Sequence, residues 1–317
     1  MLAVLIITFP FFALVLCGYV AARRALLPTL AIPALNTFVL FFALPCLLYR
    51  FGATTPIAQS LDPSVLSVYL LCAFTMVGLT IALTLSRLIR WKDAAFGALV
   101  AAFPNTGFMG VPLLVKLLGA QAAGPAIALI LVDMIVTSSA CIALSQLDSA
   151  DEHGVRHAAG NALRGVLINP MPWAILLGAL SSALGILPPT PVMQTIGLLA
   201  DAASPVALFT IGAVLARSQM TKAAPTPLLE VLPVVAEKLL LHPLLVLLAG
   251  TFAIRLGVPL DPFALMVMVL AAALPSASNV VLLSEKFGAD SGRIARIILV
   301  STALAFLTFS AAVTLLT

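Results

Sequence analysis

Long apolar runs, interrupted at short intervals by charged or Pro/Gly-rich stretches, set the pattern of this chain. Residues 2–22, 64–86 and 297–317 hold no charge, and each run exceeds the ~20 residues needed to cross the hydrocarbon layer. Ten segments are predicted, near 2–22, 33–49, 64–86, 94–118, 125–147, 166–187, 192–216, 228–254, 263–284 and 294–316. In lipid every backbone N–H and C=O must be bonded within its own segment, so each run is expected as a helix. The expected fold class is an all-α polytopic membrane protein.

Composition agrees with the pattern. The chain of 317 residues is 62% hydrophobic and 9% charged, with a mean hydropathy of +1.19. A water-soluble domain carries roughly 25% charged residues, so the solvent implied is lipid. The net charge of +4 comes from scattered residues. No continuous basic face of the kind a nucleic-acid partner requires is present. Cys17, Cys46, Cys72 and Cys141 stand singly in apolar runs and read as small buried hydrophobes. The first charges, Arg23 and Arg24, follow the first run instead of preceding it, so that run is expected to remain as a span.

The basic residues orient the spans. Loops after odd-numbered spans hold Arg23, Arg24, Arg87, Arg90, Lys92, Arg156, Arg164, Arg217, Lys222, Lys286, Arg293 and Arg296, twelve of the sixteen Lys and Arg. Only Arg50, Lys116, Lys238 and Arg255 lie elsewhere. Both termini are therefore expected outside the cytoplasm, and the polar stretch at 148–165 is a cytoplasmic linker. It separates two five-span halves, 1–147 and 166–317.

The halves resemble each other in order. Pro45 of span two pairs with Pro205 of span seven. Ala102-Phe103-Pro104-Asn105 of span four pairs with Ala273-Leu274-Pro275-Ser276 of span nine. Ile130-Leu131-Val132-Asp133 of span five pairs with Ile298-Leu299-Val300-Ser301 of span ten. Five is an odd number, so the second copy is inverted in the membrane, the arrangement of many secondary transporters. A proline removes an amide donor and clashes with the carbonyl one turn back. Pro104 and Pro275 should thus break spans four and nine. Asn105, Thr106 and Gly107 follow the first break, and Ser276, Ser278 and Asn279 the second. Half-helix N-termini offer free amides and a partial positive charge, so crossed breaks would form an anion site with no buried Arg.

Asp133, Asp201, Glu237 and Lys238 lie inside spans, where each charge costs roughly 2.5–3.5 kcal/mol, so all four should face protein or water. Glu237 and Lys238 are adjacent and cannot face one partner. Lys238 is expected to pair with Asp133. His242, one turn after Lys238, reads as a hydrogen-bonded residue and not a ligand. No HExxH, GxSxG or paired-Cys motif occurs, so neither enzyme, metal nor cofactor is expected.

The stretch Phe103-Pro104-Asn105-Thr106-Gly107-Phe108-Met109-Gly110-Val111-Pro112-Leu113-Leu114 resembles the PNT…MGxPLL signature of the auxin efflux carrier family. Leu35-Asn36-Thr37-Phe38-Val39, Asn169-Pro170, Leu199-Ala200-Asp201-Ala202 and Ala273-Leu274-Pro275 are similar to further family motifs, in order along both halves. The bacterial branch, often described as malonate transporters, is the nearer likeness. The resemblance implies a fold similar to sodium/proton antiporters and bile-acid symporters. Spans one, two, six and seven would form a scaffold that pairs with a second copy, and the other six a transport domain. It implies a carboxylate substrate at the crossing of spans four and nine, with Asn105 carrying over as a binding residue. Asn36, Asp201, Asp133 and Lys238 would support the site or its coupling. Val280 replaces a second proline of the plant pattern, Ser278 and Asn279 replace apolar positions, and Asp133 replaces Gln. These changes favour a small polar carboxylate and a proton as coupling ion. The alternatives are a sodium-coupled symporter of a larger organic anion and an exporter of an auxin-like aromatic carboxylate. The implied place is the bacterial inner membrane.

Overall fold

The computed structural model describes residues 2–54, 62–86, 89–146, 170–220 and 227–316, with backbone alone at 2–5, 218, 282, 285 and 286. The proposed linker at 148–165 lies outside the described residues, as do Arg87, Arg156, Arg164, Asn169 and Lys222. All regular structure among the described residues is helical. The helices are α1 Leu2–Arg23, α2 Thr29–Thr54, α3 Pro63–Thr84, α4 Trp91–Ala102, α5 Thr106–Leu118, α6 Ala120–Ser145, α7 Pro170–Leu184, α8 Thr190–Met220, α9 Leu228–Arg255, α10 Pro262–Ala272, α11 Val280–Phe287 and α12 Ser291–Leu316. Seven of them, α1, α2, α3, α6, α8, α9 and α12, are long and apolar enough to cross a bilayer.

Among the described residues four helices contain a π turn: Val39–Ala43, Thr106–Gly110, Val132–Thr137 and Glu237–Leu241. Pro45, Pro112 and Pro243 each follow a turn by two residues. Their rings displace the carbonyl four residues back, which falls inside the turn, and the helix widens to accommodate it. The fourth has no such proline. There, Ser138 Oγ donates to the Asp133 carbonyl at 2.8 Å. The hydroxyl thus occupies an acceptor that a regular helix would keep for an amide.

The chain divides into two compact units, each drawing on both halves of the sequence. Unit 1 comprises Met1–Asp62, Thr106–Ala128 and Asn169–Lys222. It holds α1, α2, α7 and α8, the segments the resemblance assigns to a scaffold, together with α5 and the first turns of α6. Within it α1 lies directly against α8. A Cβ on Gly18 would fall 1.8 Å from the Phe209 carbonyl oxygen, and one on Gly212 would fall 1.8 Å from that of Val15. The two backbones touch because each helix presents a glycine to the other, which is how membrane helices gain packing without a hydrophobic driving force. Helix α2 packs on α7, where Tyr49 Oη and Ser181 Oγ are hydrogen-bonded at 2.9 Å.

Unit 2 comprises Pro63–Asn105, Leu129–Ile168 and Ala223–Thr317. Its centre is α4 and α10. Every residue from 94 to 102 is buried, as is nearly all of α10. Alanines dominate α4 and let neighbouring helices approach. Asp261 caps the N-terminus of α10, accepting from the Phe263 amide at 3.3 Å, with Pro262 at the first helical position. Trp91 Nε1 donates to the Leu144 carbonyl at 2.6 Å and ties the start of α4 to the end of α6. Cys72 and Cys141 are buried as expected, whereas Cys17 is exposed.

Candidate functional site

Helix α4 stops at Ala102. Phe103 is extended, and Pro104 and Asn105 lead out of unit 2 into α5. Helix α10 stops at Ala272, and residues 273–279 are irregular until α11 begins. Unit 2 brings these two breaks into contact. The Asn105 amide donates to the Pro275 carbonyl at 2.8 Å, and the Ala277 amide to the Phe103 carbonyl at 2.9 Å. The pair forms a single antiparallel bridge centred on Pro104 and Ser276, within the two interruptions. The Ser276 amide donates to Ser301 Oγ of α12 at 3.3 Å, and Ser301 Oγ donates in turn to the Ile298 carbonyl at 3.0 Å.

The bridge changes the supply of donors anticipated from the sequence. Both breaks were expected to present free amides, yet those of Asn105, Ser276 and Ala277 are spent on the bridge and on Ser301. The amides of Ser278 and Asn279, which open α11, have no partner among the described residues. Three side chains beside them are also unused. Ser276 Oγ and Asn279 Oδ1 are buried without a hydrogen bond, and Asn105, 4% exposed, makes no side-chain bond to a described residue. Buried polar groups are normally satisfied, so these atoms and the helix-terminal amides beside them are the ones left available to a ligand. Thr106 and Gly107 belong to unit 1, at the head of α5. Thr106 is fully buried, and its Oγ1 likewise has no described partner.

A second polar cluster lies in unit 2, on the π turns of α6 and α9. Asp133 has no exposed surface and accepts from Tyr69 Oη at 2.9 Å and from Thr137 Oγ1 at 3.3 Å, one hydroxyl on each carboxylate oxygen. Lys238, equally buried, has Nζ 3.0 Å from His242 Nδ1 and donates to the Ala272 carbonyl at 2.9 Å. The expected contact between Asp133 and Lys238 is therefore not formed. The two act on each other electrostatically, but each has its own hydrogen-bond partners. Lys238 instead caps the carbonyl end of α10, where its charge opposes the negative end of the helix dipole. Glu237 turns to a different neighbour, accepting from Thr80 Oγ1 at 2.6 Å.

The remaining candidates sit in unit 1. Asn36 is half-buried on α2 and its side chain bonds no described residue. Asp201 on α8 accepts from Arg50 Nη1 at 2.7 Å, with side-chain exposures of 70% and 31%. Arg50 thus lies within α2 and neutralises Asp201, although its position in the sequence suggested a loop. Sequence reasoning passed over Tyr69 and Ser301. Tyr69 was hidden by the uncharged run around it, and its signal was a hydroxyl in an otherwise apolar span. Ser301 was visible as the counterpart of Asp133 in the repeat, but not as a partner of the break.

Long apolar helices and two interrupted ones, bridged between Pro104 and Ser276, are those of a multi-pass membrane protein. Residues 3–313 match the family described as "Membrane transport protein", and the chain belongs to that family, the one indicated by the auxin efflux carrier motifs. It is 29% identical over 300 residues to the "Putative malonate transporter" of Rhizobium meliloti (strain 1021), an alignment covering 94% of this chain and 91% of that protein. It is 28% identical over 285 residues to the "Uncharacterized transporter YfdV" of Escherichia coli (strain K12), covering 88% and 86%. The protein is a membrane transporter with a small-molecule substrate, and its family and relatives point to transport instead of catalysis.

Proposed function

We propose that the protein is a secondary transporter of a small organic anion, with malonate or a similar dicarboxylate as the leading substrate, working by alternating access. The observation that carries the reading is the bridge between Pro104 and Ser276, flanked by the unsatisfied Ser276 Oγ and the unpaired backbone amides of Ser278 and Asn279. A carboxylate there would accept from the backbone amides of Ser278 and Asn279, from Ser276 Oγ and from the side-chain Nδ2 of Asn105. Thr106 and Gly107 follow Asn105 directly and supply the first amides of α5. The name of the Rhizobium meliloti relative supports malonate as the first compound to try.

The architecture proposed with it has ten crossings. Seven are the long helices, α7 is the eighth, and α4 with α5 and α10 with α11 are two broken ones. They form inverted repeats at 1–147 and 166–317, with the 148–165 linker cytoplasmic and both termini periplasmic in a bacterial inner membrane. The buried ionisable groups Asp133 and Lys238 support a proton as coupling ion, Asn36 and Asp201 support the surrounding helices, and a homodimer is the proposed assembly. The test is malonate binding to purified protein in nanodiscs. Asn105→Ala removes a hydrogen bond to a charged group, worth about 1.5–3 kcal/mol, so Kd should rise roughly tenfold to a hundredfold. Asn105→Asp should bind still less, because the new carboxylate repels the ligand. Folded Asn105→Asp protein with unchanged affinity would sink the crossover site.

A further inference from the structure

The carboxylate site makes no use of two nitrogen bases on the buried face of α9. Lys238 Nζ and His242 Nδ1 lie 3.0 Å apart, one helical turn from each other, and neither side chain has exposed surface. Neither touches a carboxylate, since Asp133 is held by Tyr69 and Thr137. His242 Nε2 is buried with no partner among the described residues.

This geometry limits what the pair can hold. A hydrogen bond between two nitrogens needs a hydrogen on one and a lone pair on the other, so both cannot be cationic at this separation. The dyad is either singly protonated or neutral. In the protonated form the ammonium donates to Nδ1 and to the Ala272 carbonyl, and the ring keeps its hydrogen on Nε2. Ala272 is the last residue of α10, directly before the break that carries Ser276, Ser278 and Asn279. The proton on the dyad is therefore the charge that opposes the buried carbonyl end of α10. Its loss removes that charge beside the irregular segment on which the anion would sit.

We infer that the Lys238–His242 dyad is the binding site of a proton taken up together with the anion. This rests on the carboxylate reading of the crossover and names the group that carries the coupling ion. The proton arrives from water onto the Nζ lone pair and returns to water on release, and no other bond changes. The neighbours of the dyad are consistent with this role. Helix α3 brings Tyr69 and Cys72, and α6 brings Asp133 and Cys141. Helix α10 has no ionisable residue. Arg293 of α12 is held by the Asp93 and Glu230 carbonyls and acts on Glu237, which faces Thr80. An anion at the break favours the protonated dyad, and by linkage the protonated dyad favours the anion.

Calorimetric titration of malonate into the full-length protein, in buffers of different ionisation enthalpy, counts the protons taken up per ligand. Wild type should take up a fraction of a proton, with Kd rising by up to about tenfold per pH unit across the transition. Lys238→Gln keeps a donor for Ala272 and should bind with a pH-independent Kd and no linked proton. Equal proton uptake in wild type and Lys238→Gln, or none in wild type at any pH where it binds, overturns the inference and leaves the crossover site standing. If malonate does not bind, the carboxylate reading fails first and the dyad is tested without ligand. Histidine-labelled protein carrying His153→Gln and His157→Gln leaves His242 as its one ring for nitrogen NMR. The expected spectrum is a neutral ring with hydrogen on Nε2, whose Nδ1 resonance moves as Lys238 loses its proton. An imidazolium spectrum, or one that ignores pH, refutes the shared proton.

Discussion

Replacing Tyr69 with Phe deletes one hydroxyl and leaves the ring that lies 6.1 Å, centroid to centroid, from His242. What Asp133 loses is the 2.9 Å bond to Oδ2, and only the longer 3.3 Å bond from Thr137 to Oδ1 remains. Both residues are fully buried, so water does not replace the missing donor. A hydrogen bond to a charged group is worth about 1.5–3 kcal/mol and one between neutral groups about 0.5–1.5 kcal/mol. Tyr69→Phe should therefore cost about 1 kcal/mol more in the wild type than in an Asp133→Asn background, where the partner is neutral. Neutral hydrogen bonds between membrane helices average nearer ~0.6 kcal/mol, so a coupling above about 1 kcal/mol requires the carboxylate to be ionised. The assay is reversible unfolding in mixed micelles for the wild type, both single variants and the double variant. Additivity within about 0.3–0.5 kcal/mol would show that the hydroxyl and the carboxylate are independent, and the arrangement of the second polar cluster would be wrong.

Gly212→Leu places a side chain where even a Cβ comes within 1.8 Å of the Val15 carbonyl oxygen, so α1 and α8 must part. A loss of roughly 1–3 kcal/mol or more is expected, read as a lower melting temperature in nanodiscs, and an unchanged melt would refute the close approach. Ser301→Ala takes away the acceptor of the Ser276 amide. Malonate affinity should fall several-fold and stability by about 1–3 kcal/mol, because a buried amide loses its acceptor, whereas unaltered binding would detach Ser301 from the site. A periplasm-active reporter fused after Thr317 should be functional and one inserted near His153 silent, and the reverse pattern would overturn the proposed orientation.

The breaks were legible because their cause is local. A proline followed by small polar residues in an apolar run interrupts a helix whatever surrounds it, and α4 and α10 end where Pro104 and Pro275 required. The long spans were legible for a similar reason, since lipid imposes one length and one backbone solution on every crossing. What could not be read was which atom meets which across helices. Sequence placed Asp133 and Lys238 in spans five and eight, one on each half, and opposite charge suggested a pair, but hydroxyls from Tyr69 and Thr137 satisfied the acid, while a main-chain carbonyl and His242 satisfied the base. Main-chain acceptors such as that of Ala272 leave no mark in a sequence. The same holds for the amides of Asn105 and Ala277, whose consumption by the bridge depends on the two breaks lying side by side.

The glycine contact between α1 and α8 has a consequence for how the chain is made. Gly18 emerges early, and the residues it touches, around Phe209, come nearly two hundred positions later. At ~5–20 residues per second, α1 waits on the order of 10–40 s before its partner exists. During that time its glycine notch faces lipid, and other helices of unit 1 enter around it. Unit 1 receives its last segment by Lys222, whereas unit 2 draws on residues as late as Thr317. Biogenesis therefore has a direction: the unit containing the first helix has all its parts while the one carrying the joined breaks is still incomplete.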